Sequence, residues 1–248
     1  MNGQWPWEWD WGEIWDDMRG IPSYLWESVQ NDIRYVRSRA FRGIQTLAEG
    51  PSNGLHWSDI SAARELANER YESANRFAQT HDTRDPVYGH VNARWNLADA
   101  YRHFSWMFEE TVARGASSAR FIGDQNEIAY LSGTLFRTTS LFSNRNIVSG
   151  RFTMDDIMDL YNNSVGIQMG ACPEHEDRSS YEAFWYAQGN GWLIDNIVYT
   201  PDRLGIVPNG GINGTVSGVW NLNTNSIELT DQYGTTVNLC LYTREITH

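Results

Sequence analysis

The residues best suited to do chemistry lie on one helical stretch, Asn96 to Trp106. On an α-helix, positions three, four and seven apart share a face, so Asn96, Asp99 and His103 fall on one side. An aspartate one turn before a histidine is an arrangement that fixes the imidazole tautomer and raises its basicity. The spacing therefore predicts a general base, His103, oriented by Asp99.

A second polar stripe follows on a later helix, where Asp155, Asp159, Asn162 and Asn163 share one face. Two helices that carry such stripes in a bundle are expected to face each other across a shared polar site. Glu127, on the helix between them, is the natural third contributor. The predicted catalytic residues are His103, Asp99, Arg102, Glu127 and Asp159, and the predicted substrate-binding residues are Asn96, Trp106, Asn162 and Asn163.

Two kinds of chemistry fit this set of side chains. The favoured one is acid/base hydrolysis without a metal, with His103 as the base. The other is a divalent metal site, because histidine and carboxylates at helical spacing bind such ions. The set holds one histidine, whereas zinc sites usually use more nitrogen or sulfur ligands. We therefore predict no cofactor, with a divalent metal as the less favoured alternative.

A structural interpretation competes with the enzymatic one, because buried Asp, Arg, His and Asn networks also lock helices together. The protein would then be a non-enzymatic binding or interaction module. Its partner or glycan would contact the C-terminal strands and the tryptophan-rich segment 1–20. If no partner binds there, we expect this segment to pack its aromatic side chains over the core. The two hypotheses differ in their tests, since His103→Ala stops an enzyme and deletion of 1–20 stops a module.

The charge balance limits the partners. The 248-residue chain has 19 basic residues, all of them arginine, against 31 acidic ones, which gives a net charge of −12. Nucleic-acid binding needs a basic surface and is not expected. No apolar run is long enough to span a bilayer. The N-terminus lacks the basic start and aliphatic core of a classical signal peptide, so we expect secretion or delivery by a non-classical route, with a cytoplasmic location as the alternative.

Apolar periodicity predicts a bundle of five helices in the first 170 residues. These helices cover 22–48, 59–79, the stretch between the loop at 80–92 and Gly115, 117–132, and 154–169 with Thr153 as its N-cap. The sequence predicts a polar loop at 141–152 and one more short helix at 179–188.

The C-terminal part changes character and predicts β-structure. Strand-like runs separated by Pro, Asn and Gly turns lie at 192–199, 215–221, 226–230 and 236–242. The predicted fold class is α+β, mainly a helical bundle with a small C-terminal antiparallel meander. The expected domains are a Trp-rich segment 1–20, a helical bundle 21–170 that carries the site, and a β-rich lobe 171–248. Cys172 and Cys240 form either a disulfide or two separate buried thiols.

Three ordered motifs resemble an uncharacterised bacterial domain family. The motifs are Asp99-Ala-Tyr-Arg-His103 with Trp106, then Glu127, then Met158-Asp-Leu-Tyr-Asn-Asn163 with Val165-Gly166. The family pattern runs Asn-Ala-Phe-Arg-His-Ala-x-Trp-Asn-Ala, His-Glu and Met-Asp-Leu-x-Asn-Asn-x-x-Gly, and the resemblance covers about residues 90–170. It implies a site made of Arg102, His103, Glu127, Asp159, Asn162 and Asn163. In such a site we expect Arg102 to stabilise negative charge. Asn126 stands where the family tends to have histidine, so a mechanism that needs this second histidine is not implied.

Domains of this kind are similar to C-terminal modules of large secreted bacterial proteins, including polymorphic toxins and wall-associated proteins, and their activity is unassigned. Together with the polar stripes, the resemblance predicts a secreted, effector-like or toxin-like bacterial hydrolase with a His-centred site in a helical bundle. Its partners would be an unknown substrate and an immunity or carrier protein.

Overall fold

The computed structural model describes residues 57–128, 147–175, 177–211 and 214–241, and the predicted helix 22–48 and segment 1–20 lie outside these ranges. Within them are six α-helices and one four-stranded sheet. The helices are α1 (Trp57–His81), α2 (Leu97–Arg114), α3 (Ala116–Ile128), α4 (Met154–Gly170), α5 (Ser180–Gly189) and α6 (Thr200–Leu204). The strands are β1 (Ile147–Thr153), β2 (Thr215–Asn221), β3 (Ser226–Thr230) and β4 (Thr236–Cys240).

The two helices predicted to carry the polar stripes, α2 and α4, pack directly on each other. Their backbones approach closely where α4 has glycine: a Cβ at Gly166 would overlap the carbonyl oxygen of Phe104, and one at Gly170 would lie 2.7 Å from that of Phe108. The start of α4 is fixed by the predicted cap, because the Thr153 hydroxyl accepts from the Asp156 backbone N–H in a capping box. The short distance between the two backbones brings their facing side chains into direct contact.

The sheet is antiparallel in the order β1-β2-β3-β4, and one of its faces is buried. Side chains alternate between core and solvent along β2, and Trp220 is fully buried. The polar loop predicted over 141–152 is wrong for 147–152, which form most of β1. Its partner, β2, lies more than 60 residues later along the chain, so no short turn connects the two strands. The Phe152 ring packs closely against Gly218 of β2, because a Cβ at Gly218 would lie 2.6 Å from that ring.

The strand predicted at 192–199 is also wrong, because this segment makes its hydrogen bonds with the helices. The Ile194 N–H donates to the Asn162 side chain at 3.0 Å, and the Ile197 N–H donates to the Trp95 carbonyl at 3.2 Å. Asn196 then caps a 3₁₀ turn at Ile197–Tyr199 that leads into α6. The apolar run here covers the helical core instead of pairing with a neighbouring strand.

The α+β prediction is confirmed. One apolar core cluster contains residues of the helices and of the sheet, among them Phe104, Met158 and Trp220. Cys172 is half-buried and Cys240 exposed, and both thiols are free. Among the described helices, none combines the length and the apolar character that a membrane span needs. The helical bundle and the meander thus share a core.

Candidate functional site

The five predicted catalytic residues meet in one buried cluster between α2, α3 and α4. Asp99, Arg102 and His103 come from α2, Glu127 from α3 and Asp159 from α4. The Asp99, His103 and Glu127 side chains are no more than 5% exposed. Asp159 is 11% exposed and Arg102 27%, so these two form the edge of the cluster that reaches solvent.

The contacts of His103 identify its tautomer. The Asn163 side-chain oxygen lies 3.1 Å from Nδ1, and the Asn163 amide nitrogen donates to Glu127 Oε1 at 3.1 Å. Because Nδ1 faces an acceptor, it carries the proton, and Nε2 carries the lone pair. Burial and the adjacent Arg102 lower the pKa of His103 well below its ordinary value, although the Asn163 hydrogen bond acts in the opposite direction. His103 is therefore a neutral imidazole whose Nε2 can accept a proton.

Asp99 does not orient His103 as predicted. Its nearest oxygen lies 3.9 Å from His103 Nε2, beyond hydrogen-bonding distance. One Asp99 oxygen instead accepts the backbone N–H of Trp95 at 2.7 Å, and the other lies 2.6 Å from Arg102 Nη2. The orienting role falls to Asn163, held in turn by Glu127.

Arg102 places its guanidinium between its neighbours on α2. Nη2 lies 2.6 Å from Asp99 Oδ1 and donates to His103 Nε2 at 2.7 Å. Burial alone would lower the pKa of Arg102, but Asp99 and then Asp159 outweigh it and raise the pKa further above its usual value. We predicted that the positive charge of Arg102 would stabilise negative charge in the reaction. In this structure, carboxyl groups of the chain already balance that charge.

The carboxyl groups of the site hold their protons strongly. Burial raises the pKa of Glu127 to about 7, against the hydrogen bonds donated by Asn126 and Asn163. Burial, followed by the charges of Asp155 and Asp99, raises the pKa of Asp159 well above its ordinary value. Asp159 Oδ1 lies 3.2 Å from His103 Nε2. The lone pair of Nε2 already accepts from Arg102 at 2.7 Å, so Asp159 makes no hydrogen bond to it in this geometry.

Among the described residues, Asp99, His103 and Asp159 could hold a divalent cation, since each offers a ligand atom within 4.8 Å of the other two. Two of these atoms, Asp99 Oδ1 and His103 Nε2, already contact Arg102 Nη2 at 2.6 and 2.7 Å. The guanidinium supplies positive charge where a metal ion would supply it. A metal could bind these atoms only after Arg102 moves.

Of the four predicted substrate-binding residues, Asn163 joins the site and the other three do not. The Asn162 amide donates to the Ile194 carbonyl at 2.8 Å and accepts from the Ile194 N–H at 3.0 Å. Asn96 caps α2 by accepting from the backbone N–H groups of its first turn. Trp106 is buried in a separate apolar cluster with Ile167. Asn162 and Asn96 are used to hold the backbone, so we assign them a structural role.

Two residues outside the predicted set belong to the site. Burial, and next the charge of Asp99, raises the pKa of Asp155 to about 7. Asp155 precedes Asp159 by one turn, and this spacing was the signal for it. Trp95 places its indole N–H near Asp155 without a hydrogen bond of normal geometry, and its φ of +60° lies in the left-handed region. No sequence pattern marks a tryptophan for that conformation.

The described residues also form an open groove of about 500 Å³ between α1, α2 and the start of α5. It is lined by the opposite face of α2, including Tyr101 and Phe108, together with Arg70 and Arg178. None of the predicted catalytic residues lines it. The groove is therefore separate from the His103 cluster.

Comparison with known proteins gives one match. A family model described as a domain of unknown function, DUF6973, matches residues 63–188, half of the chain. The matched segment contains every residue of the His103 cluster. No curated protein and no solved structure matches the chain.

Proposed function

The chain belongs to the DUF6973 family, and we propose that it is a hydrolase whose general base is His103. The observation that carries this proposal is the state of that histidine. It is buried and neutral, Asn163 fixes its tautomer, and its Nε2 faces the carboxyl group of Asp159 at 3.2 Å. A general base needs an unprotonated nitrogen, and a proton donor beside it completes an acid/base pair.

The pair accounts for every proton of a hydrolysis. Nε2 of His103 removes a proton from water as the water oxygen bonds to the electrophilic centre of the substrate. Protonated Asp159 gives its proton to the leaving group when the scissile bond breaks. The imidazolium then returns its proton to the Asp159 carboxylate, which restores the starting state. The raised pKa of Asp159 and the lowered pKa of His103 favour this direction of transfer.

The hydrogen bonds behind His103 support this role. Glu127 accepts from both Asn126 and Asn163, so the Asn163 amide keeps its oxygen toward His103. This chain of contacts holds the ring with Nε2 toward Asp159 and the solvent edge. Such support is what a base needs to meet its substrate in a fixed geometry.

The biological setting of the proposal comes from the motif resemblance. We propose that the protein is a secreted bacterial effector or toxin. An immunity or carrier protein would accompany it. The acidic chain, with a net charge of −12, fits partners other than nucleic acid.

Expression in bacteria tests the enzymatic role. Wild type and His103→Ala are produced in the cytoplasm and in the periplasm, and growth and lysis are followed at equal soluble levels. We expect the wild type to poison cells in one compartment and His103→Ala to be harmless, with a melting temperature within a few degrees of wild type. Unchanged toxicity, or a large loss of stability with toxicity retained, would reject the proposal.

Two adjacent asparagines provide a matched control. Asn162 and Asn163 are both buried and each makes two side-chain hydrogen bonds, but only Asn163 contacts His103. Each alanine variant should lose roughly 1–3 kcal/mol of stability. We expect Asn163→Ala to lose toxicity and Asn162→Ala to keep it at equal soluble levels. Equal losses would assign the network a structural role.

The place of Arg102 between Asp99 and His103 supports a reaction without a metal. Elemental analysis of protein purified without a histidine tag should find no stoichiometric divalent metal in toxic protein. Treatment with a chelator should leave the toxicity of added protein unchanged. Stoichiometric metal that is lost together with toxicity would replace the proposal with a metal-dependent one.

A further inference from the structure

We infer that the His103 cluster binds a guanidinium group of its substrate and that Arg102 occupies this position until the substrate replaces it. The inference rests on the proposed hydrolase function and names the chemical class of the substrate. Three observations carry it: the charge of the cluster, its unpaired oxygens and the exposure of Arg102.

The cluster has more acidic groups than cations. Asp99, Glu127, Asp155 and Asp159 all act electrostatically on Arg102, whose guanidinium is the cation they share. His103 adds no positive charge, because it is neutral. A phosphate or carboxylate in this place would meet carboxyl oxygens at short range and would be repelled by those that ionise. A cation would oppose the effect of burial, because it favours the ionised form of the carboxyls.

Unpaired oxygens in the cluster favour a ligand rich in N–H groups. As a whole residue Asp159 is 8% exposed, and its Oδ1 is buried without a hydrogen bond from the described residues. The same holds for Oδ1 of Asp155. A buried oxygen without a donor costs free energy, and a donor removes that cost. A guanidinium presents five N–H groups in a plane, more than one of which can reach carboxylates at once.

Arg102 shows that the cluster accepts a guanidinium group, and its partial exposure supports our inference that this group can be displaced. Its Nη2 contacts Asp99 Oδ1 and His103 Nε2 at 2.6 and 2.7 Å. Its side chain is 27% exposed, whereas that of Asp99 is 2% exposed. The arginine can therefore turn toward solvent while the carboxylate stays in place. A second guanidinium would then find the carboxyl oxygens of Asp99 and Asp159.

The exchange has a consequence for the reaction. In the present geometry the lone pair of His103 Nε2 accepts a hydrogen bond from Arg102, so it is not free to take a proton from water. A substrate guanidinium that binds the carboxylates and displaces Arg102 would release this lone pair. The base then becomes active when a substrate of the correct class is bound.

Binding of small probes tests the inference without knowledge of the substrate. Methylguanidinium, methylammonium and acetate are titrated at constant ionic strength, and the ring signals of ¹⁵N-labelled histidine are followed by NMR. The His103 signal is assigned with His103→Ala. We expect methylguanidinium to shift this signal and to bind Arg102→Ala at least tenfold more tightly than wild type, because the internal competitor is gone.

Two further variants make the experiment specific. Asp159→Asn, combined with Arg102→Ala, should weaken methylguanidinium binding at least tenfold, because it removes an acceptor. Arg203→Ala is the control for loss of an arginine, since Arg203 donates to the backbone carbonyls of Leu193 and Gly191. It should bind as wild type does. Arg102→Met, which keeps an apolar side chain of similar length, replaces Arg102→Ala if circular dichroism shows that the alanine variant does not fold.

The inference is overturned if removal of Arg102 does not strengthen methylguanidinium binding, if Asp159→Asn leaves that binding unchanged, or if acetate shifts the His103 signal as strongly. Tighter binding of methylammonium than of methylguanidinium would also overturn it in favour of an amine. These results are separate from those for the proposed function. If His103→Ala abolishes toxicity but the wild type binds no methylguanidinium, the hydrolase proposal stands and the proposed substrate class is rejected.

Discussion

Glu127 keeps its proton to a higher pH than an exposed glutamate does, because burial raises its pKa from 4.5 to about 7. Between these values the folded chain holds a proton that the unfolded chain releases. Stability therefore falls as the pH rises from about 4.5 to about 7 and changes little above that range. Glu127→Gln removes this titration. We expect its free energy of unfolding, measured in urea at pH 5 to 8, to fall less with pH than that of wild type.

The control for this measurement is Glu228→Gln, which removes one charge from the exposed face of the sheet. If Glu127→Gln and wild type lose stability equally between pH 5 and pH 8, the buried carboxyl does not hold its proton as described. Asp155 provides a second check, since burial raises its pKa to about 7 as well and gives a change of the same sign.

The residues of the site were largely predictable, but their roles were not. Helical spacing identified His103, Asp159 and Glu127, because side chains one turn apart on packed helices must come together. It could not show which of two asparagines, Asn162 or Asn163, points at the histidine. That choice depends on where the Ile194 backbone passes, which is a tertiary contact.

At the scale of elements, the site depends on how closely α2 and α4 approach. Gly166 allows this contact, because a Cβ there would overlap the carbonyl oxygen of Phe104 and lie 3.2 Å from the Met107 side chain. Gly166→Ala should therefore push the helices apart and cost about 1–3 kcal/mol or more. Thermal and urea denaturation measure this loss, and toxicity should fall with it because His103 and Asn163 separate.

Gly189→Ala is the matched substitution. Gly189 ends α5, and no atom lies within 4 Å of the position its Cβ would take. Alanine favours the helix over glycine, so stability should be equal or slightly higher. Equal effects of the two substitutions would mean that close packing at Gly166 does not hold the site together.

The helices were easier to predict than the strands for a physical reason. Helical hydrogen bonds and caps are local, and the Thr153 capping box was visible in four consecutive residues. Strands β2 and β3 were also found with the right bounds, because buried and exposed side chains alternate along them. Strand β1 was missed, since its partner lies more than 60 residues later along the chain and no turn links the two strands. The apolar run at 192–199 resembles a strand in composition. Its backbone N–H groups, however, donate to the Asn162 side chain and the Trp95 carbonyl instead of to a neighbouring strand.

At the scale of the whole molecule, the described helices and the sheet share one core, which bears on the expected domain boundary at residue 170. Trp220 of β2 is fully buried in the same cluster as Phe104 of α2 and Met158 of α4. If the sheet were a separate lobe, damage to it would leave the helices intact. A shared core predicts that both unfold together.

Trp220→Ala tests this prediction, because it leaves a large cavity on the buried face of the sheet. We expect a loss of about 3–5 kcal/mol and one unfolding transition, coincident when followed by circular dichroism at 222 nm and by tryptophan fluorescence. Toxicity should fall with stability, although Trp220 does not contact His103. Val219→Ala, at an exposed position of the same strand, is the control and should change little. If the helical signal of Trp220→Ala melted at the wild-type temperature although the sheet had unfolded, the helices and the sheet would be two independent domains. The site would then belong to the helical domain.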